Sequence, residues 1–102
     1  MKARISVANE AQQQILDTME WWRANRQDAP FMFEDELADC FALLEEQPEI
    51  GLLVPRPRMP DLRRVVLLES RRAVYYVFDR NTGTVHVRAV WGGMRGEGPP
   101  LR

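Results

Sequence analysis

The period of apolar and polar positions changes several times along this chain, and each change marks an element. Residues 3–7 alternate (Arg4, Ile5, Ser6, Val7), as a short first strand does. From Ala8 the period lengthens. Ala8, Ala11, Ile15, Met19 and Trp22 recur at steps of three and four, on one face of a helix that ends near Asn25 or Arg26. Trp21 lies about 100° around the helix from Trp22, so one of the two sits in the core and the other flanks it or serves a partner. Asp28, Ala29 and Pro30 read as the start of a second helix, with Asp28 as N-cap and proline in the first turn. Glu34, Asp35 and Glu36 follow, where carboxylates favour the positive end of the helix dipole. Phe33, Leu37, Cys40 or Phe41, and Leu44 form the apolar stripe, and Pro48 stops the helix. Two helices joined by so short a turn form an antiparallel hairpin.

Residues 50–60 (IGLLVPRPRMP) carry Pro55, Pro57 and Pro60, which deny the stretch a regular helix or a central strand. It is a connector, in which Leu52, Leu53 and Val54 remain able to pack on the core. Three strands are then expected over residues 64–68, 72–79 and 84–91, with Asn81, Thr82 and Gly83 supplying the turn before the last. The run from Ala73 to Phe78 is apolar or aromatic throughout, which marks a central strand. In the last strand, alternation puts Val85, Val87, Ala89 and Trp91 on the core side and Thr84, His86, Arg88 and Val90 on the exposed side. The end, GGMRGEGPPLR, is too rich in glycine and proline for regular structure. The expected class is α+β, a single domain over residues 1–102. It comprises a short N-terminal strand, an antiparallel helical hairpin packed on a sheet with a three-stranded antiparallel meander, and a Gly/Pro-rich C-terminal tail.

Composition adds limits. No run approaches the roughly 20 apolar residues of a membrane span, and the first residues, MKARISVANE, lack a signal-peptide core, so the expected compartment is the cytoplasm. A single cysteine, Cys40, excludes an internal disulfide and a cysteine-based metal cluster; it reads as a small core residue. Cys40 and His86 are each alone, no carboxylate cluster has ligand spacing, and neither metal nor cofactor is called for. The net charge of -1 conceals a split: residues 1–50 hold 11 acidic and 4 basic side chains, residues 51–102 hold 4 and 10. The sheet half is therefore basic and the helical half acidic, a distribution open to an anionic partner or to two solvated faces.

Several stretches together carry a resemblance: WWRANRQDAPFMFEDEL at the helix junction, QPEIG after the second helix, LRRVVL followed by SRRAVYYVFD, and VRAVWGGMRGEGPPL at the end. In this order the chain resembles the RelE/ParE superfamily of bacterial type II toxin-antitoxin toxins, over nearly its whole length. The resemblance implies a growth-inhibiting toxin, in a system of the plasmid-stabilisation kind, neutralised by a small cognate antitoxin that folds across it. It implies contact with operator DNA only through that antitoxin. Trp21, Phe31, Phe33 and Val90 are the candidates for the antitoxin surface, against ordinary packing for each.

The superfamily includes ribosome-dependent RNA-cleaving toxins and gyrase poisons. RNA cleavage requires a group to activate the 2'-hydroxyl, a donor for the leaving oxygen, and cations for the phosphate. Carried over by position, Arg63 or Arg64, Arg72 and Arg95 match the basic residues of the nuclease branch. Arg71, Arg88 and Arg95 are candidates for holding the target or RNA. That branch places a tyrosine or histidine near the carboxyl end, and none follows Trp91 here; His86 is the remaining titratable candidate. Tyr75 and Tyr76 read as packing aromatics. The expected mode is thus inhibition by binding a target such as DNA gyrase. The alternatives are metal-independent cleavage of ribosome-bound messenger RNA and a non-toxic, degenerate member.

Overall fold

The apolar run at residues 73–78 becomes the middle of a mixed five-stranded sheet. The computed structural model describes residues 2–92 and 98–101. Its elements are β1 (Arg4–Val7), α1 (Asn9–Asn25), α2 (Met32–Glu46), β2 (Leu52–Leu53), β3 (Arg63–Leu67), β4 (Arg72–Asp79) and β5 (Thr84–Gly92). The strand order is β1-β5-β4-β3-β2, with β1 parallel to β5 and the other pairings antiparallel. The expected meander is therefore present as β3-β4-β5, and the N-terminal strand joins its far edge. Gly83, at φ 67°, supplies the left-handed residue that closes the β4–β5 turn, and its N–H donates to the Asp79 carbonyl at 2.8 Å.

Both helices cover one face of the sheet. Ala11 and Trp22 from α1 and Phe33, Leu37, Cys40 and Leu44 from α2 meet Val74, Tyr76, Val85, Val87 and Val90 in the main core. The opposite face has a smaller core of its own. There the connector residues Met59 and Leu62 cover Ala73, Tyr75 and Ala89, with Trp91 and Leu101 packed alongside.

The phase of β5 differs from simple alternation. Tyr76 faces Val87 and Tyr75 faces Ala89, so Arg88 is the extra residue of a bulge. Beyond it the side-chain phase reverses. Val90, expected on the exposed side, is buried in the main core, while Ala89 and Trp91, expected with Val85 and Val87, belong to the opposite face.

Two further expectations change. Asp28 does not cap α2: the N-cap is Phe31, without a side-chain cap bond, and residues 26–31 form the connection. The residue before a proline disfavours the helical region, so Pro30 at Ala29 delays the helix rather than opening it. Leu52 and Leu53 form an additional strand, β2, paired with Arg64 and Arg63 and mostly solvent-exposed. An edge strand tolerates the prolines that follow, since its outer N–H groups need no partner.

Candidate functional site

Arg64 and Tyr75 are opposite one another in the β3–β4 register, on the face turned away from the helices. The proline-rich connector folds over this face. Arg56 and Met59 exchange backbone hydrogen bonds at 3.0 and 2.9 Å, closing a tight turn that aims the Arg56 side chain at the C-terminal segment. Its Nη1 donates to the Pro99 carbonyl at 2.7 Å and the Leu101 carbonyl at 3.3 Å. Pro99 is fully buried, and Gly98 lies against the Arg56 guanidinium, which a side chain at position 98 would displace. On the same face, the Arg64 Nε is buried without a hydrogen-bond partner among the described residues. A guanidinium N–H bonds most strongly to a charged oxygen acceptor.

The other basic candidates are distributed elsewhere. Arg63, opposite Tyr76, turns to the helix side, where Nη1 donates to the carbonyls of Glu49 (2.9 Å) and Gly51 (2.8 Å). Glu49 also receives a two-pronged bond from Arg80, at 2.9 and 2.6 Å. The Arg80 guanidinium holds the Glu49 carboxyl below the ordinary carboxylate range. Arg63 thus anchors the loop that enters β2. Arg72 faces Leu67 and Gly92 at the end of the sheet, and a Cβ at position 92 would collide with its guanidinium. Gly92 gives Arg72 its place.

Arg71 occupies the β3–β4 turn at φ 56°. Arg88 is exposed at the bulge. His86 faces Val77 and lines a cleft of about 630 Å³ with Glu49, Asp61, Arg63, Asp79 and Arg80, toward the other end of β5 from Gly92. Arg95 lies outside the described residues.

The structure therefore sets Arg64 opposite Tyr75, on the face where Arg56 holds the C-terminal segment, and turns Arg63 and Arg72 to the other face. Arg56 is the member that pattern reading passed over. Its signal is an arginine held between Pro55 and Pro57, which restrict the backbone on both sides.

The helical hairpin bears an aromatic group. Trp21 packs edge-on against Trp22 with centroids 5.8 Å apart, Arg23 lies over Phe31 at 5.4 Å and Arg26 over Trp22 at 5.1 Å. Trp21 and Phe31 remain 48% and 52% exposed. Phe33 and Val90, at 0% and 2%, present no surface in this conformation. Phe33 is on the inward stripe of α2, and the Arg88 bulge turns Val90 inward.

No protein-family model and no curated protein sequence matches the chain. Solved structures do match it. The toxin-antitoxin complex RelBE2 of Mycobacterium tuberculosis has a chain that superposes with a TM-score of 0.67 at 13% identity, over 91% of this chain and 100% of that one. The intact Escherichia coli RelBE toxin-antitoxin complex gives 0.62 at 19% identity, over 91% and 99%. The isolated E. coli RelE toxin gives 0.61 at 19%, over 93% and 88%. In each, the likeness takes in the sheet and the helical layer together, as the resemblance to the RelE/ParE superfamily implies: this chain has the fold of the RelE toxins.

Proposed function

We propose that this protein is the toxin of a type II toxin-antitoxin pair, a cytoplasmic growth inhibitor neutralised by a cognate antitoxin. The observation that carries this reading is the shared fold, over 91% of the chain, with toxins found in complex with their antitoxins. The half-exposed Trp21 and Phe31 beside Arg23 and Arg26 supply aromatic and guanidinium groups of the kind that anchor protein interfaces. Any contact with operator DNA runs through the antitoxin. The test is induced expression with and without a neighbouring small gene. Growth arrest relieved by that gene is expected; indifference to induction overturns the reading and points to a degenerate member.

Inhibition by binding a target such as DNA gyrase is the favoured mode. Arg72 is paired with Gly92 and His86 is six positions back along β5, about 20 Å at ordinary strand rise. That spacing does not put proton transfer and phosphate stabilisation at one reacting centre. Cleavage of ribosome-bound messenger RNA is the second reading, favoured by Arg64 opposite Tyr75, its Nε without a partner among the described residues. Purified protein is expected to inhibit gyrase supercoiling and leave ribosome-bound message intact. Codon-positioned cleavage in a translating extract, abolished by Arg64→Ala, would establish the nuclease instead.

A further inference from the structure

The turn between β3 and β4, residues 68–71, has three features that closing a hairpin does not require. Leu68 is 74% exposed, more than any other large apolar side chain among the described residues. Arg71 is exposed at φ 56°, in the left-handed region that glycine occupies without strain and arginine does not. Between them the chain is held firmly. Glu36, on α2, accepts from the Glu69 N–H, the Ser70 N–H and the Ser70 hydroxyl, and Ser70 itself is buried. The turn between β4 and β5 shows the cheaper solution, with polar residues and Gly83 at the positive φ. Here an apolar side chain meets solvent and an arginine is kept in a strained conformation, on a backbone that cannot relax. Strain retained in this way is characteristic of side chains that are used.

We infer that residues 68–71 are a preformed contact element for the folded protein that this chain inhibits, with Leu68 entering an apolar pocket of that partner and Arg71 pairing with a carboxylate on the pocket's rim. The rim is acidic because Arg71 and the adjacent Arg72 outweigh Glu69 in the charge that this end of the sheet presents. RNA offers phosphates for the arginines and no apolar pocket for Leu68. Glu36 fixes the turn before contact, so the partner meets side chains already in place and little freedom is lost on binding. The inference rests on the proposed inhibition by binding and names the element that does it.

The test is graded induction of the wild type, Leu68→Met, Leu68→Ser, Leu68→Lys and Arg71→Gly, with protein level followed by immunoblot and stability by urea titration of the purified chains. Leu68→Met, which keeps an apolar side chain of similar size, is expected to arrest growth as the wild type does. Leu68→Ser, Leu68→Lys and Arg71→Gly are expected to hold the wild-type urea midpoint, Arg71→Gly with relief of strain, and yet to need about thirtyfold more protein for the same arrest, the weight of an interface hot spot. A turn that only closes the hairpin would leave all of them fully active. Arrest by Leu68→Ser or Arg71→Gly at the wild-type protein level overturns the contact element and leaves the toxin assignment standing. Arrest by Leu68→Lys at a lower level than wild type assigns the turn to a polyanion and overturns the apolar pocket. A wild type that does not arrest growth overturns the toxin assignment, and the inference with it.

Discussion

The Tyr76 hydroxyl accepts the Gly51 backbone N–H at 2.9 Å, in a position with no solvent access to the tyrosine. This single bond ties the central strand β4 to the loop that enters the edge strand β2. Tyr76→Phe removes the acceptor and leaves the Gly51 N–H unpaired, at an expected cost of about 1–2 kcal/mol. Gly51→Ala is expected to cost about as much or more, because a Cβ there would stand 2.6 Å from the hydroxyl. Urea titrations of the two variants check both values.

Glu36 on α2 reaches the β3–β4 turn and accepts from the Glu69 N–H (2.8 Å), the Ser70 N–H (2.9 Å) and the Ser70 hydroxyl (2.7 Å). One carboxylate thus organises the turn in which Arg71 takes its left-handed conformation. Glu36→Ala leaves the two part-buried Ser70 donors without their acceptor, while the exposed Glu69 N–H turns to water, and a loss of about 1–3 kcal/mol in denaturant unfolding is expected.

Alkaline pH is expected to destabilise the fold from an identifiable point. Burial, and secondarily the charge of Glu36, push the Cys40 thiol from its ordinary 9.0 up to about 12. Between those values the unfolded chain has lost the thiol proton and the folded chain retains it, so stability is full below pH 9 and falls as pH rises, by up to about 1.4 kcal/mol per unit. Burial raises the Tyr76 hydroxyl above its ordinary 10.0 and adds a loss of the same sign higher up. Cys40→Ala should flatten the slope between pH 9 and 10 and leave that of Tyr76, as followed by thermal melts across the range.

The Arg88 bulge separates two neighbours with opposite sensitivity. Val90→Ala opens space in the main core and should cost about 2 kcal/mol, whereas Arg88→Ala should change stability by no more than about 0.5 kcal/mol. Thermal unfolding of the pair tests the reversed phase of β5 directly; equal effects would contradict it.

Gly92 and Arg72 should behave as one unit in cells. A Cβ at 92 would lie 2.5 Å from Arg72 Nη1, so Gly92→Ala displaces the guanidinium without removing it. If Arg72 engages the target, Gly92→Ala and Arg72→Ala both lose growth arrest on induction, while Arg80→Ala, at the other end of the sheet, retains it.

The strands were legible because β4 is apolar on both faces and its neighbours are bounded by turn residues, Asn81 to Gly83 above all. The bulge was not, since nothing in VHVRAVW marks Arg88 as the residue without a partner; pairing with Tyr75 and Tyr76 decides that. The shape of the candidate site was hidden for a related reason. Arg63 and Arg64 are adjacent in sequence and therefore point to opposite faces, and only the register shows which one meets Tyr75. The partners of Arg56, the Pro99 and Leu101 carbonyls, lie more than forty positions along the chain, and only the fold brings them together.

The parallel pairing of β1 with β5 has a consequence for the order of assembly. Arg4 is in register with Thr84, and the Arg4 N–H donates to the Gly83 carbonyl. β1 must wait for β5 to be made before it finds its place. Long-range closure of this kind slows folding and keeps the sheet open until β5 has emerged. A cell making this protein thus holds an unfinished sheet, its first strand unpaired, from the emergence of β1 until that of β5.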